Sequence, residues 1–235
     1  MLAAFTIMAA CGMRDRQVEG FTEAELELIH GSDSIMRVLT IDDPEDLVVL
    51  RAVSCDLSAE ALLSEDFSEL ARLMVATVTH PSQDGVGIAG PQVGFNRRVV
   101  AVQRFDKEGE PFEVYPNVRI VWASDSLAAG PEGCLSVPNR RGEAMRSQKI
   151  VIEYADIAAG GMRGGPERGL AGGSADRLAE SSEGGSKGGS EERSANGSDG
   201  RLALPVVRDT ISGFTAVIFQ HEIDHLEGML YIDRL

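Results

Sequence analysis

Phe214-Thr215-Ala216-Val217-Ile218-Phe219-Gln220-His221-Glu222-Ile223-Asp224-His225-Leu226-Glu227-Gly228 is the stretch whose reading decides the fold. Within it, His221-Glu222-Ile223-Asp224-His225 is a His-Glu-x-x-His pattern. On a helix, residues four apart stand one turn above each other, so both imidazoles can grip one metal ion. Glu222 is turned about 100° from His221, which frees it to handle protons rather than ligate. Phe214, Val217, Ile218, His221 and His225 share one stripe, and Phe219, Ile223 and Leu226 form another. The helix is therefore predicted to be buried nearly all round. Gly228 is a natural stop. A buried helix with two satisfied core histidines is the bland alternative for so short a motif. Yet the chain has only four histidines, two of them here, and a third ligand would decide the matter.

At 235 residues, 43% of them hydrophobic, the chain can bury one substantial core. A net charge of −15 argues against the basic surface that nucleic-acid binding needs. Three cysteines, Cys11, Cys55 and Cys134, make no disulfide framework. An isolated one near a metal motif is more telling as a thiolate ligand. No stretch is long and apolar enough to span a membrane. Residues 1–12 form an apolar run ending in small residues before Cys11, much like a lipoprotein signal with Cys11 as lipid acceptor. The run lacks an early Lys or Arg and its apolar core is short, so an ordinary apolar N-terminus is the alternative.

Thr22 and Glu25 are spaced as a capping box for a short helix over 22–29. Residues 38–53, around Asp42-Asp43-Pro44, read as an irregular entry into the domain. Leu63, Phe67, Leu70, Met74 and Val78 predict an amphipathic helix ending near His80-Pro81. Gly85, Gly87 and Gly90 formally match a dinucleotide-binding fingerprint, which must follow a strand and open a helix. Here a helix precedes them, and Pro91 and Gly94 discourage one afterwards. The glycines instead point to backbone lying close to a ligand, with the Gln92 amide beside it. Residues 97–103, 112–122, 149–154 and 204–211 read as strands, while Glu132-Gly133-Cys134-Leu135-Ser136 follows a loop. His30 and His80 read as surface or helix-end histidines, and Trp122 as a packing residue. Residues 160–200 hold 13 of the 26 glycines and no Val, Ile, Phe, Tyr or Trp, too little apolar surface to offset ordering entropy. A disordered Gly/Ser-rich insertion is expected over 158–202.

Three stretches stand in order: Gly85-Val86-Gly87-Ile88-Ala89-Gly90-Pro91-Gln92, Glu132-Gly133-Cys134-Leu135-Ser136, and Gln220-His221-Glu222-Ile223-Asp224-His225-Leu226. Jointly they closely resemble the three signature motifs of the peptide deformylases. The resemblance covers residues 36–235 apart from the insertion and leaves 1–35 as an N-terminal extension. It implies an α+β fold, with mainly antiparallel β-sheets around a central metal-binding helix. It also implies hydrolysis of the N-formyl group from the formyl-methionine of newly made peptides, with release of formate. Cys134, His221 and His225 would ligate one divalent ion, Fe2+ by family habit, with Zn2+ or Ni2+ also suited to the set. One thiolate and two neutral imidazoles leave such a site a net charge of +1 and an open corner, where water ionises near neutral pH.

By the same resemblance, Glu222 passes the water's proton to the departing amine. The Gln92 amide and the Leu135 backbone N–H stabilise the oxyanion, and Gly87 lets the backbone pair with the peptide. Val86, Phe214, Val217 and Ile218 match positions lining the methionine pocket, and Arg141 matches an arginine facing the peptide. Plain core, or for Arg141 a solvated charge, is the alternative for each. Ala89-Gly90 stands where family members usually have Ala-Ala, Pro116-Asn117 where Asn-Pro is commoner, and no long helix follows the metal helix. Family chemistry implies a cytoplasmic monomer with transient ribosome contact, against an envelope lipoprotein anchored through Cys11.

Three other readings compete. A zinc endopeptidase built on His-Glu-x-x-His would need Glu227 or Asp233 as its third ligand. A structural site would be closed by a fourth ligand such as Cys55 or His80. A non-catalytic paralogue would bind formyl peptides without turnover.

Overall fold

The computed structural model describes residues 18–159 and 202–235. Cys11, and nearly all of the Gly/Ser-rich stretch over 158–202, lie outside the described residues. A two-residue strand β1 (Val18–Glu19) opens the described chain. The expected capping box heads α1 (Glu23–His30): Thr22 accepts from the Glu25 N–H at 3.2 Å, and Glu25 accepts from the Thr22 N–H at 2.8 Å. This helix buries Ile29 in the core, and Glu25 accepts from the Arg97 guanidinium at 2.7 and 2.9 Å.

Where an irregular entry is expected, α2 (Pro44–Leu50) forms instead. Asp43 accepts from the Glu45 N–H at 2.8 Å, and Pro44 occupies the first turn, where its missing N–H costs nothing. The start signal was local, but Val48 and Val53 made the segment look like broken apolar runs; both are in fact solvent-facing. β2 (Asp56–Leu57) pairs in parallel with β1. α3 (Ala59–Leu62) and α4 (Glu65–Val78) start on Ser58 and Ser64 caps. α4 is the predicted amphipathic helix, with Phe67, Leu70, Met74 and Val78 buried. His30 and His80 sit at or just beyond helix ends, 2.8 Å from Asp66 and from Ser82 respectively.

β3 (Gly87–Ala89), β4 (Val99–Gln103) and β5 (Phe112–Pro116) form an antiparallel sheet in the order β3-β4-β5. β4 is covered on both faces, which is why it reads as a continuous apolar run rather than an alternating one. Val99 and Ala101 join Phe67, Leu70 and Met74 in a first core, under α1 and α4. Val100 and Val102 join Tyr115 and Phe219 in a second.

β6 (Arg119–Ala123) is followed by a long hairpin, β7 (Leu127–Cys134) and β8 (Val137–Ser147), and then by β9 (Lys149–Ala155). β10 (Val206–Ser212) completes a second antiparallel sheet in the order β10-β9-β6. Two expectations fail in this region. Trp122 is not a packing residue: it is 51% exposed on an edge strand, beside a shift in register with β9. Nor does a loop lead into Cys134, which instead ends an eight-residue strand. Ala128, Ala129, Gly130 and Pro131 are poor strand formers, and only pairing with β8 makes them extended.

α5 (Gly213–Leu226) carries the His-Glu-x-x-His pattern and is buried nearly all round, with Ala216, Phe219, Ile223 and Leu226 in the second core. Gly228 follows at φ 70°, and a Cβ there would strike the Arg51 backbone. Helices and mainly antiparallel sheets thus enclose α5, an α+β arrangement.

Candidate metal centre

One ligand atom each of Cys134, His221 and His225 lies within 4.8 Å of the other two, the one such group among the described residues. Cys134 Sγ and His225 Nε2 are 3.2 Å apart. Ligands about 2.0–2.3 Å from a tetrahedral ion stand roughly 3.3–3.6 Å from each other, so the donors fit a single ion. Helical geometry brings the two histidines together, their ring centres 5.2 Å apart. Cys134 arrives from the end of β7, carried there by the β7–β8 hairpin.

Burial, reinforced by the neighbouring His221, holds the His225 pKa well below its usual value and keeps that ring neutral. Burial also opposes charge on His221, but hydrogen bonds to Cys134 and Glu132 prevail and lift its pKa to about 10. The site therefore draws positive charge, and a proton and a metal ion compete for the free His221 nitrogen.

Glu132 sets which nitrogen that is. Its carboxylate lies 2.7 Å from His221 Nδ1, leaving Nε2 for the ion. Arg146 donates to Glu132 at 2.6 and 2.9 Å and to Asp224 at 2.5 Å, and Arg234 also pairs with Asp224. Although burial works against its charge, the Arg146 and His221 hydrogen bonds hold the Glu132 pKa at about 2. Sequence reasoning missed this network. Glu132 and Asp224 lie inside the recognised motifs, which was a usable signal, whereas nothing local marked Arg146.

Glu222 is 4% exposed, and its Oε2 has no hydrogen-bond partner among the described residues. A Cβ on residue 87 would come within 2.5 Å of its Oε1, so Gly87 makes room for this carboxylate. Burial, opposed by His221, pushes the Glu222 pKa up to about 7, where a group can both take and give a proton.

The Gln92 side chain is held at both ends. Its Oε1 accepts from the Ala89 N–H at 2.8 Å, and its Nε2 donates to Ser136 Oγ at 3.2 Å while lying 3.5 Å from Cys134 Sγ. A 3-10 turn over Gly90–Val93 aims it there, and Ser136 is a further residue that sequence reasoning did not single out. Val86, Gly87, Gln92, Cys134, Leu135, Arg141, Phe214, Val217, Ile218, His221 and Glu222 all line one cleft of about 830 Å³. His225 lies beneath it, fully buried. Of the other proposed ligands, Glu227 pairs with Arg98 at 2.7 Å and Asp233 pairs with Arg51. Neither Cys55 nor His80 belongs to the Cys/His group.

The family model described as polypeptide deformylase matches residues 35–162 and 205–235. The peptide deformylase of Leptospira biflexa is 29% identical over 210 residues, which is 86% of this chain and 88% of the relative. Peptide deformylase 2 of Gloeobacter violaceus is 31% identical over 189 residues, covering 80% of this chain and 74% of the relative. Among solved structures, the class I type b peptide deformylase from Acinetobacter baumannii with Met-Ala-Ser bound is 26% identical at a TM-score of 0.59, covering 86% and 98% of the two chains. That from Thermotoga maritima is 25% identical at a TM-score of 0.58, covering 86% and 99%. Because the matched segments take in most of the sequence, and the cysteine, glutamine and paired histidines of the cleft all fall within them, this chain belongs to the peptide deformylase family.

Proposed function

We propose that this chain hydrolyses the N-formyl group from the formyl-methionine of newly made peptides, releasing formate, and that the residues of the cleft carry the reaction. The convergence of Cys134, His221 and His225 below Glu222 and Gln92 carries this reading. These three ligands would hold one divalent ion; we assign Fe2+, with Zn2+ and Ni2+ also compatible with one thiolate and two imidazoles. When bound, the ion supplies Lewis acidity, enough to make water nucleophilic near neutral pH.

The other roles belong to the chain itself. Glu222, dry and poised near neutrality, takes the proton from the attacking water and delivers it to the departing amine. The Gln92 Nε2 donor and the Leu135 backbone N–H stabilise the oxyanion that develops on the formyl oxygen as its carbon is attacked. Gly87 lies on a short strand whose pairing with β4 leaves its other edge for the substrate backbone. Val86, Phe214, Val217 and Ile218 offer an apolar wall for the methionine side chain, and Arg141 faces the peptide beyond it. Glu132, Arg146 and Asp224 keep His221 oriented.

No helix among the described residues is long and apolar enough to cross a membrane. We place the protein in the cytoplasm as a monomer with passing contact to ribosomes. The deciding assay follows formate release from formyl-Met-Ala-Ser, with metal analysis of the same preparation and Glu222→Gln as control. Release by the native protein, and its loss in a variant that keeps its metal, supports the assignment. Equal rates for the two would overturn the role given to Glu222.

A further inference from the structure

The pocket wall continues outside the signature motifs. Phe105 follows β4, and its ring meets that of Phe214 at 5.2 Å between centres, tilted by 52°. Phe214 stands in the first turn of α5 and lines the cleft beside Val217 and Ile218, yet is 56% exposed. A ring so open to solvent has several rotamers within reach unless something backs it. Phe105 provides that backing, itself half-buried against the second core and away from the cleft lining.

The Phe105 side of the ring pair is pinned by its neighbour Arg104. Arg104 is buried and donates to Asp106 at 2.7 and 2.8 Å, to Asp209 at 3.0 Å and to the Tyr115 hydroxyl. Its guanidinium also lies 5.9 Å from the ring centre of Phe219, five residues along α5 from Phe214. Arg104, next to Phe105, thus ties the loop after β4 to β5 and β10 and packs against α5.

We infer that Phe105 is a positioning residue that determines specificity: it holds the Phe214 ring at the cleft rim and so sets the width of the pocket for the substrate's first side chain. This inference rests on the deformylase reading of the cleft. With Phe105 cut back, Phe214 can settle into the vacated space, and the pocket then admits a wider side chain than methionine.

The test compares Phe105→Ala and Phe105→Leu with the native protein, metal-loaded, on formyl-Met-Ala-Ser and formyl-Phe-Ala-Ser. For the alanine variant, kcat/KM on the phenylalanine peptide relative to the methionine peptide should rise about tenfold, mostly through KM. The leucine variant should shift the same way by less. Both substrates meet the same preparation, so partial unfolding lowers both rates and cancels in the ratio. If the alanine variant does not fold, the ratio for the leucine variant decides. A native protein active on formyl-Met-Ala-Ser, with an unmoved ratio in the variants, overturns the inference and leaves the reading of the cleft intact. Inactivity of the native protein on both peptides overturns both.

Discussion

His221 Nδ1 and the Glu132 carboxylate are 2.7 Å apart, joining the metal helix to the strand that delivers Cys134. With Glu132 ionised, the ring donates from Nδ1 and keeps its other nitrogen for coordination. Glu132→Gln should therefore weaken metal binding by about 10–100-fold. Competition against a coloured chelator measures this, and undiminished affinity would remove Glu132 from the site.

There is no space for a methyl group between Gly87 and Glu222: a Cβ at residue 87 would stand 2.5 Å from the carboxylate. Gly87→Ala should displace the carboxylate and lower kcat by about 10–100-fold, because small misplacements of a catalytic group are costly. The thermal midpoint should move little by comparison. A large fall in stability with kcat preserved in the folded fraction would contradict this.

On the proposed scheme the Gln92 amide can act on the developing charge only if it is correctly aimed. Gln92→Leu should reduce kcat by on the order of 10²–10³, the usual cost of one lost oxyanion donor, with a smaller change in KM. Ser136→Ala leaves the amide present but releases its Nε2, so its effect should be weaker, about tenfold. Steady-state kinetics of the pair would refute the scheme if the serine variant were the more damaged.

Hydrogen bonds from Arg104 hold the Asp106 carboxylate below the usual carboxylate range. A carboxyl group whose folded pKa is depressed adds stability above its unfolded pKa of about 3.9, and loses it as pH falls through the lower folded value. Asp106→Asn should thus be less stable than the native protein at pH 7, with the gap closing below about pH 4. Urea midpoints across that range test the sign; a gap that widens in acid would reverse it.

What was hidden in the sequence was hidden for identifiable reasons. Asp43-Pro44 carried a helix start that the apolar residues around it obscured, since Val48 and Val53 face water. The strand from Leu127 to Cys134 is spelled with residues that disfavour strands, and its partner β8 makes it one. Trp122 looked like core by chemistry alone, but the edge position of β6 exposes it. Phe105 carried no signal, because its importance lies in a ring contact across more than a hundred residues.

The sequence by itself determined α5, with His221 and His225 on one of its faces and Glu222 between them, because a helical turn links residues four apart whatever surrounds it. It also determined α4 and the apolar run of β4, whose patterns follow from local period and burial on both faces. Only the tertiary structure decided that Cys134 meets His225 across 91 residues, that Glu132 and Arg146 lock His221, and that Ser136 aims Gln92. Those contacts come from sheets and hairpins packing around α5, and no short-range rule of backbone geometry fixes where such distant segments touch.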